Sequence, residues 1–371
     1  MNAGAPQRPL DIVILGLSLS SAWGNGHATT FRALIRGLAA EGHRVLFLER
    51  DVPWYAPHRD LPDPDFCDFA LYDGIEPMLA RFGDRLRQAD AVIVGSYVPE
   101  GIALIDRLDA MGLRQLCFYD IDTPVTLQAL DEGRCDYLAP RQIPRFDICF
   151  SFSGGAVLTH LQDMRGARRA EALFCSVDET RYPHLPEVPK RWDLGYLGTY
   201  SPDRQPTLQA LLLDPARRLP EMRFVVAGPQ YPADIDWPAN VERIEHLPPD
   251  EHAGFYNAQR FTLNVTRQAM RRMGWSPSVR LFEAGACGVP VISDDWPGLD
   301  ELFADGRSIL IARDTEDVVR GLAAADAGDA RRIGQAARQT VLSGHTGRAR
   351  ARELAAALQA APAPLSPADG R

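Results

Sequence analysis

Runs of apolar, often β-branched residues alternate along this chain with stretches whose apolar positions recur every three to four residues. That alternation is the pattern of layered α/β proteins. In the first half, the runs at 12–16, 45–49, 91–95, 115–119, 147–151 and 172–175 predict buried parallel strands. Between the first two, Phe31, Leu34, Ile35 and Leu38 fall on one face of a predicted helix. Strand candidates resume at 194–198, 223–228, 241–244, 261–265, 289–293 and 308–311, followed by Ala- and Arg-rich helix to about Ala360. A Pro- and charge-rich segment, DETRYPHLPEVPKR over 178–191, interrupts the alternation. These signals predict a Rossmann-like N-terminal domain over 1–177, an interdomain linker over 178–192 and a second Rossmann-like domain over 193–346. They also predict a helix over 347–361 that returns to the first domain, and a disordered Pro/Ala tail over 362–371. Two such halves joined by a short linker put a cleft between them.

Length and composition agree with this division. A chain of 371 residues with 46% hydrophobic content is long enough for two packed cores. A formal net charge of −9 argues against nucleic acid as a partner, while leaving room for a local basic pocket that takes a diphosphate. Cysteines 67, 117, 135, 149, 175 and 287 show neither CxxC nor metal-ligand spacing, and read as reduced core thiols of a cytoplasmic protein. The start, MNAGAPQRPLD, lacks a signal pattern, and no window holds about 18 uninterrupted apolar residues. A transmembrane segment is not expected, although a peripheral membrane contact stays open.

The richest stretch is GWSPSVRLFEAGACGVPVISDDWPGLDELF over 274–303. Ser276 and Pro277 suit the cap and first turn of a helix carrying Arg280, Leu281, Phe282 and Glu283. Cys287-Gly288 offers a left-handed stop, and Pro297-Gly298 opens the next helix. Glu283 therefore lies in a mostly apolar helix, where a carboxylate needs a hydrogen-bonding partner or solvent. A pair of sugar hydroxyls is one such partner.

Other candidates stand at the predicted carboxyl ends of strands, where open parallel sheets bind ligands. In GLSLSSAWGNGHATT, Gly24 and Gly26 make a loop that a ligand could approach closely, and His27 to Thr30 start a helix whose amides favour anions. This loop is not the GxGxxG dinucleotide fingerprint. Asp120 and Asp122 follow another strand and suit a general base or a contact to sugar hydroxyls; a plain helix cap is the alternative for Asp122. Ser153-Gly154-Gly155 is similarly placed. In the second half, Gly198-Thr199 with Arg204 suits a phosphate, against the alternative of a solvated helix start. His246 precedes Leu247-Pro248-Pro249, and Asn264, Thr266 and Arg267 end a strand.

The order of these features resembles that of GT-B fold glycosyltransferases, and more narrowly the CgeB-type group related to glycosyltransferase family 4. The resemblance is carried by NVERIEHLPPDEHAGFYNAQRFTLNVTR (240–267) and the 274–303 stretch, with LSSAWGNGHATTFRAL and FYDIDTPVTL in the first half. It implies two Rossmann-like domains and a metal-independent, hexosyltransferase-type enzyme with no cofactor beyond its nucleotide-diphosphate sugar. The acceptor is left undefined: glycan, lipid, protein or small molecule. By this resemblance Glu283 matches the second Glu of the family's Glu-x7-Glu motif and binds the donor ribose. The Ser276–Ser278 loop, including both serines, meets the diphosphate with Arg204 or Arg280 as counter-charge. His246 and Leu247 flank the base, and Thr199 and Asn264 complete the donor side. Eight positions before Glu283 stands Trp275, so the motif's first Glu is absent. If transfer inverts, Asp122, ahead of His27, is the base. The rival readings are a sugar-nucleotide epimerase or hydrolase on the same fold, and a non-enzymatic two-lobed binding protein.

Overall fold

The apolar runs form two separate parallel sheets in the computed structural model, which describes residues 8–23 and 26–360. One unit takes the chain up to Cys175 and again from Gly347; the other spans Ser176–Thr346. Gly24 and the 362–371 segment lie outside the described residues.

The first unit holds β1 (Asp11–Gly16), β2 (Arg44–Arg50), β3 (Asp68–Tyr72), β4 (Ala91–Gly95), β5 (Leu116–Asp120), β6 (Ile148–Ser151) and β7 (Ala170–Ala172). Their order is β3-β2-β1-β4-β5-β6-β7, so the winding reverses between β1 and β4. Central strands are buried along their length because helices cover both faces of such a sheet. Helix His27–Ala40 lays Phe31, Leu34, Ile35 and Leu38 into a core with Ile12, Ile14, Phe47, Tyr119 and Phe150. The chain's last described helix, Gly347–Gln359, adds Leu354 and Leu358 to that core. It crosses helix His27–Ala40 so closely that a Cβ on Gly37 would collide with the Gly347 carbonyl.

The apolar pattern does not announce β3. This edge strand pairs with β2 alone and buries only Tyr72, so its sequence, DFALY, carries little signal. Strand β7 is also short, and ends where the 172–175 run begins.

The second unit holds β8 (Trp192–Leu197), β9 (Phe224–Ala227), β10 (Val241–Ile244), β11 (Gln259–Asn264), β12 (Val291–Asp294) and β13 (Leu310–Ala312). The order is β10-β9-β8-β11-β12-β13, with the reversal between β8 and β11. Leu194, Tyr196, Phe224, Val226, Phe261, Leu263 and Ile292 fill its core. Residues 178–191, read above as a spacer between domains, pack as part of this unit. The reason is the buried side chain of Asn257, which needs partners inside the fold. Its amide donates to the Pro183 carbonyl and its oxygen accepts from Leu185 N–H, while Lys190 donates to the Asn257 carbonyl.

Candidate active site

In each unit the chemistry-bearing residues gather at the carboxyl ends of strands at or next to the winding reversal, the region favoured for ligands in open parallel sheets. In the first unit His27 opens the helix after β1 and is buried. Its Nε2 stands 3.9 Å from Asp122 Oδ2, and among the described residues its buried Nδ1 has no hydrogen-bond partner. The Tyr97 ring, at φ +62° beyond β4, meets the imidazole edge-on at 5.3 Å. The structure thus brings together His27 and Asp122, residues 95 positions apart in sequence.

Asp122 occupies the cap position of helix Thr123–Asp131, yet its side chain makes no capping hydrogen bond. The carboxylate is half-buried and turned to His27. Asp120, at the end of β5, is fully enclosed. Burial pushes its carboxyl up to about 7, against hydrogen bonds from Asp122 N–H, Thr126 and Ser96 that pull it down. Gly26 caps helix His27–Ala40 at φ −84°, with open space where a Cβ would stand. Among the described residues, neither backbone strain nor a neighbour requires glycine there.

A residue with no motif to mark it fixes this loop. Glu49, the fully buried end of β2, accepts from the backbone N–H of Leu19 and Ser20 and from the hydroxyls of Ser18 and Ser20. Arg32 donates its Nε to the Leu19 carbonyl and forks both terminal nitrogens onto Asp60. The strand-to-helix loop is held before any ligand arrives.

In the second unit the 274–303 stretch folds differently at its start from the sequence expectation. Helix Val279–Ala286 begins after Ser278, not at Ser276. Trp275 takes φ +44°, Ser276 turns its hydroxyl back to the Gly274 carbonyl, and Ser278 is extended. Pro277 disfavours a helical residue before it, which moves the start downstream. Ser278 then spends its hydroxyl on Asn264 Oδ1 at 2.7 Å rather than on a cap. Arg280 donates to the same Oδ1 at 3.0 Å and to the Leu197 carbonyl at 2.7 Å, and lies over the Tyr196 ring. Asn264 Nδ2 reaches Ser293 at 2.9 Å. Four of the expected donor-side residues, Ser278, Arg280, Asn264 and the nearby Arg204, therefore converge where β8 and β11 end.

Arg204 donates to the Thr199 carbonyl at 2.7 Å, and among the described residues its buried Nε has no partner. Burial, and then the like charges of Arg280 and Arg267, hold its pKa below the usual guanidinium value. Among the described residues none of these three arginines pairs with a carboxylate; the local acid, Asp294, pairs with Arg271. Burial raises Asp294 to about 6, against two hydrogen bonds from Thr266. Arg280, buried, and Arg204, partly buried, meet at the end of β8 with no carboxylate hydrogen-bonded to either among the described residues, and fit an anionic ligand, since leaving such charges unpaired is costly.

Glu283 is buried but already engaged. Tyr182 donates to Oε1 at 2.7 Å and Tyr256 to Oε2 at 2.9 Å. Tyr182 also lies 3.4 Å from His252 Nδ1, and the other nitrogen of His252 lies 3.3 Å from the Leu247 carbonyl. A polar chain thus runs from the loop after β10 to the buried carboxylate. None of its tyrosine or histidine members stood out in sequence, because a lone Tyr in a Pro-rich segment has no spacing signature. Leu247 is half-buried against the Trp192–Phe255 cluster, whereas His246 and Thr199 point to solvent-exposed positions. Trp275, at the place of the missing Glu, donates its indole N–H to Glu301 at 2.9 Å.

Residues 204–356 match a family model described as glycosyl transferase-like. No curated protein matches the chain. Among solved structures, the fold is similar to sucrose-phosphate synthase from Thermosynechococcus elongatus, at 15% identity and TM-score 0.69, covering 94% of this chain and 98% of that one. Anabaena HepE in complex with UDP-glucose gives 14% identity and TM-score 0.67 over 94% and 99% of the two chains. An alpha-glucosyltransferase in complex with UDP-glucose and abasic-site DNA gives 13% and 0.69 over 95% and 100%. The two parallel α/β units have the GT-B fold of these glycosyltransferases.

Proposed function

We propose that this chain is a glycosyltransferase that moves a sugar from a nucleotide-diphosphate donor to an acceptor, and that it belongs with the CgeB-type GT-B enzymes. The observation that carries the reading is the meeting of Arg204 and Arg280 at the end of β8, neither ion-paired among the described residues, in a segment matching a glycosyl transferase-like family. The UDP and UDP-glucose complexes of proteins with the same fold support a diphosphate there. In transfer, the bond from the anomeric carbon to the diphosphate breaks and negative charge develops on the leaving group. Arg204 and Arg280 stabilise that charge from fixed positions, the kind of preorganised electrostatics that contributes most in a water-poor site. Glu283 retains acceptor capacity on each oxygen beyond its two phenols, and takes the ribose hydroxyls in this reading.

The first unit supplies the acceptor-side chemistry. Asp122, with His27 beside it, accepts the proton of the attacking hydroxyl if the reaction inverts. The side chains invoked carry the charge without a metal, and the reaction we assign is of hexosyl type. Six free cysteines, four of them buried, favour a reducing cytoplasmic setting. A thermal-shift screen over nucleoside diphosphates and nucleotide sugars tests the reading. A donor at 100 times its Kd should stabilise the protein by about 2.7 kcal/mol. A flat response to every nucleotide would remove the donor site.

A further inference from the structure

We propose that the acceptor is a neutral saccharide, and that Trp23, stacked on His58, is the platform on which one of its rings lies. This rests on the transferase reading and names the substrate class of its acceptor side. Among the described residues, the large hydrophobic side chains left exposed are Trp23, Trp54 and Met164, and both tryptophans lie at the carboxyl edge of the first sheet. Trp23 is 53% exposed in the loop that leads from β1 to His27; Trp54 is 55% exposed in the loop that follows β2.

The platform is built, not merely uncovered. Trp23 and His58 stack with ring centroids 4.3 Å apart and planes 10° from parallel. Ser21 donates its hydroxyl to the His58 carbonyl, Ala22 N–H donates to Asp60, and Leu61 N–H donates to the Ser20 carbonyl. Arg32 ties the same two loops together, and Glu49 holds the first of them. A rigid frame that presents indoles to water carries a standing hydrophobic penalty, which a ligand's apolar face relieves.

The surroundings select the ligand. In the loop 51–65, DVPWYAPHRDLPDPD, Arg59 pairs with Asp51 and Arg32 with Asp60, which leaves the exposed Asp63 and Asp65 as surplus negative charge, so the loop disfavours an anionic membrane surface and an anionic nucleotide alike. A flat aromatic face without a basic side chain stacked on it suits a pyranose, whose C–H face meets the electron-rich ring while its hydroxyls stay in water. Because Trp23 shares its loop with His27, a saccharide held there approaches the His27–Asp122 pair from the same strand ends.

The test is saturation-transfer NMR of the full chain with an array of neutral glycans, maltotetraose and cellotetraose among them. Wild type, Trp23→Ala and Trp23→Phe are compared, with a nucleoside diphosphate titrated into each as an independent check. The expected result is saccharide binding by wild type and Trp23→Phe, weaker by about tenfold or more in Trp23→Ala, with nucleotide affinity equal in all three. A protein that binds nucleotide but no glycan, or binds glycans equally without Trp23, overturns the platform and leaves the transferase reading standing. Sedimentation with neutral or anionic lipid vesicles that is abolished by Trp23→Ala overturns it in favour of a membrane contact. Loss of nucleotide binding in wild type refutes the underlying reading itself.

Discussion

At Asp122 the backbone fills the cap position while the side chain leaves it, and the two roles weighed from sequence come apart as a result. Because the carboxylate makes no capping hydrogen bond and lies 3.9 Å from His27, its replacement should hardly touch stability. We expect Asp122→Asn to keep its unfolding midpoint and donor affinity, and to lose about 10²–10⁴ in turnover as a missing general base does. Near-wild-type turnover would retire Asp122 and leave His27 as the base. Glu283 carries the opposite expectation. Its two phenol donors make it part of the packing of the second unit as well as a candidate for the ribose. An amide presents one acceptor oxygen in place of two, so Glu283→Gln should destabilise by about 1–3 kcal/mol in chemical denaturation. An unchanged midpoint would show that the tyrosines do not depend on this carboxylate.

Between elements, the closest approach in the first unit is that of helix Gly347–Gln359 to helix His27–Ala40. In an isolated helix Gly→Ala is favourable by about 1 kcal/mol. Here a methyl on Gly37 meets the Gly347 backbone, so we expect Gly37→Ala to destabilise by about 1–3 kcal/mol, a reversal of sign readable from a denaturant midpoint. A stabilised variant would show that the helices do not touch in this way. The elements legible in the sequence are those whose burial is complete. Val92, Ile93 and Phe118 sit in strands covered on both faces, so their runs are unbroken. What escaped has half-burial or borrowed order. Strand β3 buries one residue, and the 178–191 segment looks like a linker because its stability comes from Asn257, far along the chain. The late start of helix Val279–Ala286 escaped because it depends on the left-handed Trp275 and on Asn264 drawing Ser278 away from capping.

Across the whole molecule, strand ends singled out Asp122, His27 and Asn264 as candidates because chemistry-bearing side chains there interrupt otherwise apolar runs, and Arg280 came from the helix that follows. The supporting residues did not announce themselves. Glu49, Tyr182 and Tyr256 act through partners 29 or more residues away or in other elements, and pairwise spacing does not encode such contacts. The same limit applied to the arginines: Arg204 and Arg280, 76 positions apart, become one candidate site only when β8 and β11 bring their ends together. Arg204 is the most informative of them, since its Nε is buried without a partner and its removal leaves no carboxylate unpaired. The direct measurement is calorimetric titration of UDP, GDP and ADP into the wild-type protein and Arg204→Ala. If the second unit holds a nucleotide-diphosphate donor, wild type binds at least one of them and Arg204→Ala binds it about tenfold more weakly or worse, with its fold intact. Equal affinity in the two proteins, or no binding of any nucleoside diphosphate by wild type, would contradict it.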